Sequence, residues 1–216
     1  MENSSSLLLF FAVLCGIVYG LFWLSRDISW IRSVLKTIPV TLLAFTALNS
    51  GLPLLLILAF CLSAAGDAFL SRIGDKSFLV GLSAFLLAHL AFTFLFLTSP
   101  PSQAILLVTK IWVSLLTGLL IISVLISLWR HLGHMKIAVF IYSLTIGAMN
   151  IAAWTSGQNK LLLCGVALFV FSDIVLAHGL FVWKNTKIKN LASILVWYSY
   201  FPAQTLILYS FFNGKI

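Results

Sequence analysis

The apolar positions of this chain neither alternate nor keep to one helical face. They come in runs of about twenty, the length an α-helix needs to cross the hydrocarbon core of a bilayer. Eight such runs are predicted to be helical, at residues 7–24, 34–48, 52–71, 78–98, 104–128, 137–154, 161–183 and 191–212. Short polar clusters separate them: Asn49-Ser50-Gly51, Gly74-Asp75-Lys76, Ser99-Pro100-Pro101-Ser102 and Ser156-Gly157-Gln158-Asn159. Each carries the glycine, proline or asparagine that ends a helix and turns the chain. Pro39 is placed near the first turn of the second helix, where its missing N–H does little harm. The pattern predicts an all-α fold, a polytopic bundle of eight transmembrane helices forming one domain over residues 1–216.

Composition agrees: 62% of the residues are hydrophobic and only 8% charged, which leaves no stretch from which a separate soluble domain could be built. Met1-Glu2-Asn3-Ser4-Ser5-Ser6 has no basic region of the kind that opens a signal peptide, so the first run is expected to stay as a helix. Cys15, Cys61 and Cys164 lie within apolar runs at no metal-ligand spacing and read as small buried hydrophobes.

The net charge of +8 would suit a nucleic-acid surface, but its distribution argues otherwise. Ten of the thirteen basic residues fall in or beside the odd-numbered connections: Arg26, Arg32, Lys36, Arg72, Lys76, Arg130, Lys136, Lys184, Lys187 and Lys189. The opposite side has Lys160 and Lys215, with Lys110 ambiguous. The positive-inside rule then puts the odd connections in the cytoplasm and both termini outside, with a bacterial inner membrane the expected location. No nucleic-acid partner is expected; the bilayer is.

Against this background two acidic residues stand out. The chain has five, and Asp67 and Asp173 lie inside apolar runs, where an ionisable group costs roughly 2.5–3.5 kcal/mol even on lenient insertion scales. Asp67 comes five residues before Arg72 and Asp173 eleven before Lys184, which puts both in the inner half of the membrane. The two are 106 residues apart, close to half the chain, so a weak four-plus-four repeat is conceivable. We expect them to converge: two carboxyls in contact share a proton and offer one acid and one carboxylate. A purely structural alternative has them accept hydrogen bonds from Ser63 and Ser172.

Around them, Lys36 at the cytoplasmic boundary is either a snorkelling anchor or a ligand for a phosphate head group, as is Arg72. His89 is a candidate to line the site, His178 a weaker one because five residues set it on another face from Asp173. Gln204 is deep and needs an interior partner, with Tyr142 and Tyr200 as further polar candidates. No H-x-x-x-H or H-E-x-x-H spacing calls for a metal, and no G-x-S-x-G, P-loop or dinucleotide fingerprint occurs; no cofactor is expected.

The stretch Leu62-Ser63-Ala64-Ala65-Gly66-Asp67-Ala68-Phe69-Leu70 resembles the Ser-x-x-Gly-Asp-x-x-Leu motif of the YhhN-like lysoplasmalogenases. Gly165-Val166-Ala167-Leu168-Phe169-Val170-Phe171-Ser172-Asp173-Ile174-Val175-Leu176-Ala177 resembles their Gly-x-x-x-Phe-x-x-Ser-Asp-x-x-Leu-Ala motif. Weaker likenesses are Lys36 with Pro39, Gly81 to His89, Tyr142, and Tyr200 with Gln204. The likeness covers nearly the whole chain. It implies an eight-span enzyme that hydrolyses the vinyl ether bond of a lysophospholipid substrate, a lysoplasmalogen, to a fatty aldehyde and glycerophosphoethanolamine or glycerophosphocholine. It also implies Asp67 and Asp173 as catalytic residues, with Lys36, Ser63, His89, Tyr142, Ser172, Tyr200 and Gln204 binding substrate.

Acid cleavage of a vinyl ether needs a proton donor and a carboxylate, as glycosidases do, so the two readings meet. The lipid head is expected near Lys36 and Arg72. The competing reading is a proton-coupled transporter that uses the same aspartates as carriers.

Overall fold

The computed structural model describes residues 2–100 and 103–213. Over these it is all-helical, with α1 Glu2–Phe22, α2 Trp30–Asn49, α3 Leu54–Leu70, α4 Asp75–Thr98, α5 Leu107–Trp129, α6 Lys136–Thr155, α7 Lys160–Phe181 and α8 Thr186–Asn213. A single 3₁₀ turn, Gly133–Met135, leads into α6. Seven of these helices are long and apolar enough to cross a membrane; α3, with 17 residues, is shorter. At 1.5 Å per residue α3 spans about 25 Å, at the low end for a crossing helix. The protein is a polytopic membrane protein, and the leucines, isoleucines and tryptophans exposed along α5 are the surface that lipid would cover.

Helix starts differ from expectation where polar residues extend a helix beyond its apolar run. Ser29 caps α2, its side chain accepting from the Arg32 N–H, so the helix opens at Trp30. Pro39 therefore stands in the helix interior, correcting its expected first-turn position, and removes one rung of the backbone ladder there. Pro101, Ser102 and Lys215, which entered the helix-break and charge readings, lie outside the described residues.

The chain divides into two compact units. The first holds α1, α2, α3, α4 through Leu95, and the end of α8 from Ile207. Here Asn49 Nδ2 donates to Ser4 Oγ and Ser5 Oγ, each at 2.9 Å, and ties the end of α2 to the start of α1. Gly51 follows with φ +60°, a left-handed position that reverses the chain into α3. Phe60 and Phe92 meet edge to face at 5.9 Å in the core.

The second unit runs from Phe96 to Leu206. Its α6 packs against both α5 and α7. Asn150 Nδ2 on α6 donates to Thr117 Oγ1 on α5 at 2.9 Å. Gly147 makes the approach close: an added Cβ would run into Ile121. On α8, Trp197 and Phe201 stack at 5.5 Å.

Candidate functional site

In the first unit, α2 and α3 run side by side in a register fixed by Ser33 Oγ, which donates to Ser71 O at 3.3 Å. One turn along each helix brings Lys36 against Asp67. Lys36 Nζ lies 2.9 Å from Asp67 Oδ1, the side chains being 21% and 2% exposed. The sequence pattern sets Lys36 at the membrane surface and Asp67 beside serines; the structure instead pairs the two with each other. A carboxylate so deeply buried is tolerable when a cation and hydrogen bonds answer it.

The neighbouring motif residues have visible reasons. Gly66 faces Phe85 of α4, whose ring occupies the space where a Cβ would stand. Gly81 of α4 passes close over Leu70 in the same way. His89, one turn beyond Phe85, is fully buried and donates from Nδ1 to Phe85 O at 2.6 Å. That bond leaves Nε2 as the ring's accepting atom in the neutral form. Ser63, one turn before Asp67, is fully buried, and its hydroxyl has no partner among the described residues. Arg72 lies over the ring of Trp30, a contact that anchors it at the helix end.

In the second unit, Asp173 sits 8% exposed in the wall of a cleft of about 50 Å³ among α5, α6 and α7. Leu120, Ile121, Val124 and Leu128 come from α5, Val139, Tyr142, Ser143 and Ile146 from α6, and Val170, Ile174 and Ala177 from α7. Asp173 and Tyr142 are thus brought together in one lining that is otherwise almost entirely aliphatic. Ser172 is buried, and its hydroxyl donates to Phe169 O at 2.7 Å within its own helix. Tyr200 is buried with its ring edge on Phe169 at 5.4 Å. Gln204 is fully buried, as expected, and neither amide atom has a partner among the described residues. Such an amide costs about 1–3 kcal/mol unless water or a ligand answers it.

The family model described as the YhhN family matches residues 31–211. The chain belongs to the YhhN family. Its matched segment takes in both aspartates, their motifs and every candidate binding residue. Among curated relatives, the chain is 31% identical over 203 residues to lysoplasmalogenase TMEM86B of Rattus norvegicus, covering 91% of this chain and 80% of that one. It is 32% identical over 210 residues to lysoplasmalogenase TMEM86B of Homo sapiens, covering 94% and 86%. A lysoplasmalogenase of Mycobacterium bovis is 30% identical over 173 residues, covering 74% and 61%. No solved structure matches the chain.

Proposed function

We propose that this YhhN-family protein is a lysoplasmalogenase, hydrolysing the vinyl ether of a lysoplasmalogen within the membrane. The observation that carries the reading is the Asp173 carboxyl set into an aliphatic cleft, an acid held where an alkyl chain would lie. Family membership and the names of the relatives support the substrate class.

In this reaction a proton goes to the outer alkenyl carbon and leaves an oxocarbenium ion on the carbon next to oxygen. Water adds there, loses a proton, and the hemiacetal collapses to aldehyde and glycerophospho-alcohol. We assign the proton donation to Asp173, whose surroundings are aliphatic apart from Tyr142 and Ser143. Asp67, already matched by the Lys36 ammonium, supplies the carboxylate that steadies the cation and directs water. That both carboxyls serve one substrate is part of the proposal, as is substrate contact by Ser63, His89, Tyr142, Tyr200 and Gln204.

The test is aldehyde release from lysoplasmalogen by protein purified in detergent. Asp67→Asn and Asp173→Asn should each lower the rate by at least about a hundredfold, the usual worth of a general acid or base, with normal expression. Full activity in both variants defeats the assignment. Solute flux into proteoliposomes without aldehyde formation points to the transporter instead.

A further inference from the structure

The cleft that holds Asp173 has a polar rim at one end. Ser127 on α5 lies between the lining residues Val124 and Leu128, and His178 on α7 directly follows the lining residue Ala177. Ser127 Oγ and His178 Nε2 are 3.1 Å apart. His178 Nδ1 donates to Ile174 O at 2.8 Å, so in the neutral ring Nε2 accepts the serine proton. Lys136 opens α6 one turn before the lining residue Val139, with Nζ 5.4 Å from the Trp129 ring at the end of α5. The Ser127–His178 pair thus lies just past the lining residues Leu128 and Ala177, toward the end of the cleft at which α6 starts with Lys136, and the other end, at Leu120, Ile146 and Val170, is aliphatic.

We propose that this rim is the subsite for the phosphate of the substrate's head group, with the alkyl chain running the opposite way past Asp173. The inference rests on the proposed lysoplasmalogenase reading and gives the lipid an orientation in that site.

Three observations support it. A serine–histidine pair on the lipid-facing surface of α5 and α7 is polar where hydrocarbon or head groups would touch it, and a head group satisfies it. Charge is complementary: between Phe96 and Leu206 the sole acidic residue is Asp173, while Arg130, Lys136, Lys184, Lys187 and Lys189 fall in or beside the connections at this end. Spacing also fits. Five residues along α7 separate Asp173 from His178, an axial rise of about 7.5 Å. From the outer alkenyl carbon to phosphorus there are seven bonds, about 8–9 Å when extended. Lys36 and Arg72, the phosphate ligands expected from the sequence, are occupied by Asp67 and by the Trp30 ring.

The experiment compares two substrates with the same alkenyl chain, a 1-alkenyl-lysophospholipid and the corresponding 1-alkenylglycerol, which lacks phosphate. In Ser127→Ala, His178→Gln and Lys136→Gln proteins the kcat/KM preference for the phospholipid should fall about tenfold, through KM, as for one lost hydrogen bond to a charged group. Ser127 is exposed, so its alanine variant keeps the test sharp should His178→Gln fail to fold. Equal losses on both substrates, or none on either, overturn the subsite. So does competition by inorganic phosphate as strong as that by glycerophosphocholine, which marks a general anion site. Loss of fatty-acid release from an ester lysolipid in Ser127→Ala would make Ser127 a nucleophile and overturn it equally. A wild-type protein silent on both alkenyl substrates refutes the lysoplasmalogenase reading itself, and the subsite with it.

Discussion

Lys36 and Asp67 form the ion pair on which the first unit's chemistry turns, and its energetics can be measured directly. Breaking a buried pair from one side leaves a charge unanswered and costs about 3 kcal/mol or more. Removing both charges together costs far less. Lys36→Met should therefore lower the apparent melting temperature in detergent more than the Lys36→Met, Asp67→Asn double variant does. The coupling from the double-mutant cycle should be at least about 1 kcal/mol. Additive effects would mean that the 2.9 Å contact contributes nothing to the fold. Both residues could be singled out in the sequence, because an acid inside an apolar run and a lysine at its boundary are conspicuous. Their pairing could not: it depends on the register of α2 against α3, set by contacts such as Ser33 with Ser71, and no spacing along the chain encodes it.

At the scale of elements, the glycine before Asp67 decides how close α4 comes to α3. Phe85 lies where a Gly66 Cβ would go, so the two helices approach only because position 66 has no side chain. Gly66→Ala should destabilise the protein by about 1–3 kcal/mol through overpacking. Phe85→Leu, added to it, should restore part of the loss; a detergent melting series checks both. If Gly66→Ala melts as the wild type does, the helices have slack that the close approach hides. Gly147→Ala should be milder, since the obstructing atoms there belong to the flexible end of Ile121.

The apolar runs located all eight helices, because only a helix satisfies its own backbone in hydrocarbon. Their ends were less legible. α2 begins four residues earlier than the apolar run at 34, because the polar pair Arg32-Ser33 separates Trp30 and Ile31 from that run, and α8 opens at Thr186 rather than 191, through the mostly polar Thr186-Lys187-Ile188-Lys189-Asn190. The pairing of Ser127 with His178 was hidden for a related reason: it joins α5 to α7 across 51 residues, a contact that no spacing along the chain encodes.

For the whole molecule, the distribution of lysine and arginine makes a claim that each connection can test separately. By the positive-inside rule, eight crossings with basic odd connections are expected to have both termini outside and the connections after α3 and α5 in the cytoplasm. In this orientation the end of α3 that carries Asp67 leads into a cytoplasmic connection, as do the ends of α5 and α7 that carry Ser127 and His178. A lysolipid of the inner leaflet then meets the polar rim with its head at the interface and its chain in the cleft, with no need to turn over. The measurement is labelling by a membrane-impermeant maleimide in intact cells, in a background with Cys15, Cys61 and Cys164 replaced by alanine. A cysteine at Gly157, in the turn between α6 and α7, should be labelled, and one at Gly74 or His131 should label only after permeabilisation. The reverse pattern would place the rim in the outer leaflet and require a lipid drawn from there. Labelling at Gly74 and Gly157 alike from outside would mean that α4, α5 and α6 do not cross as an odd number, and the eight-span topology would fail with it.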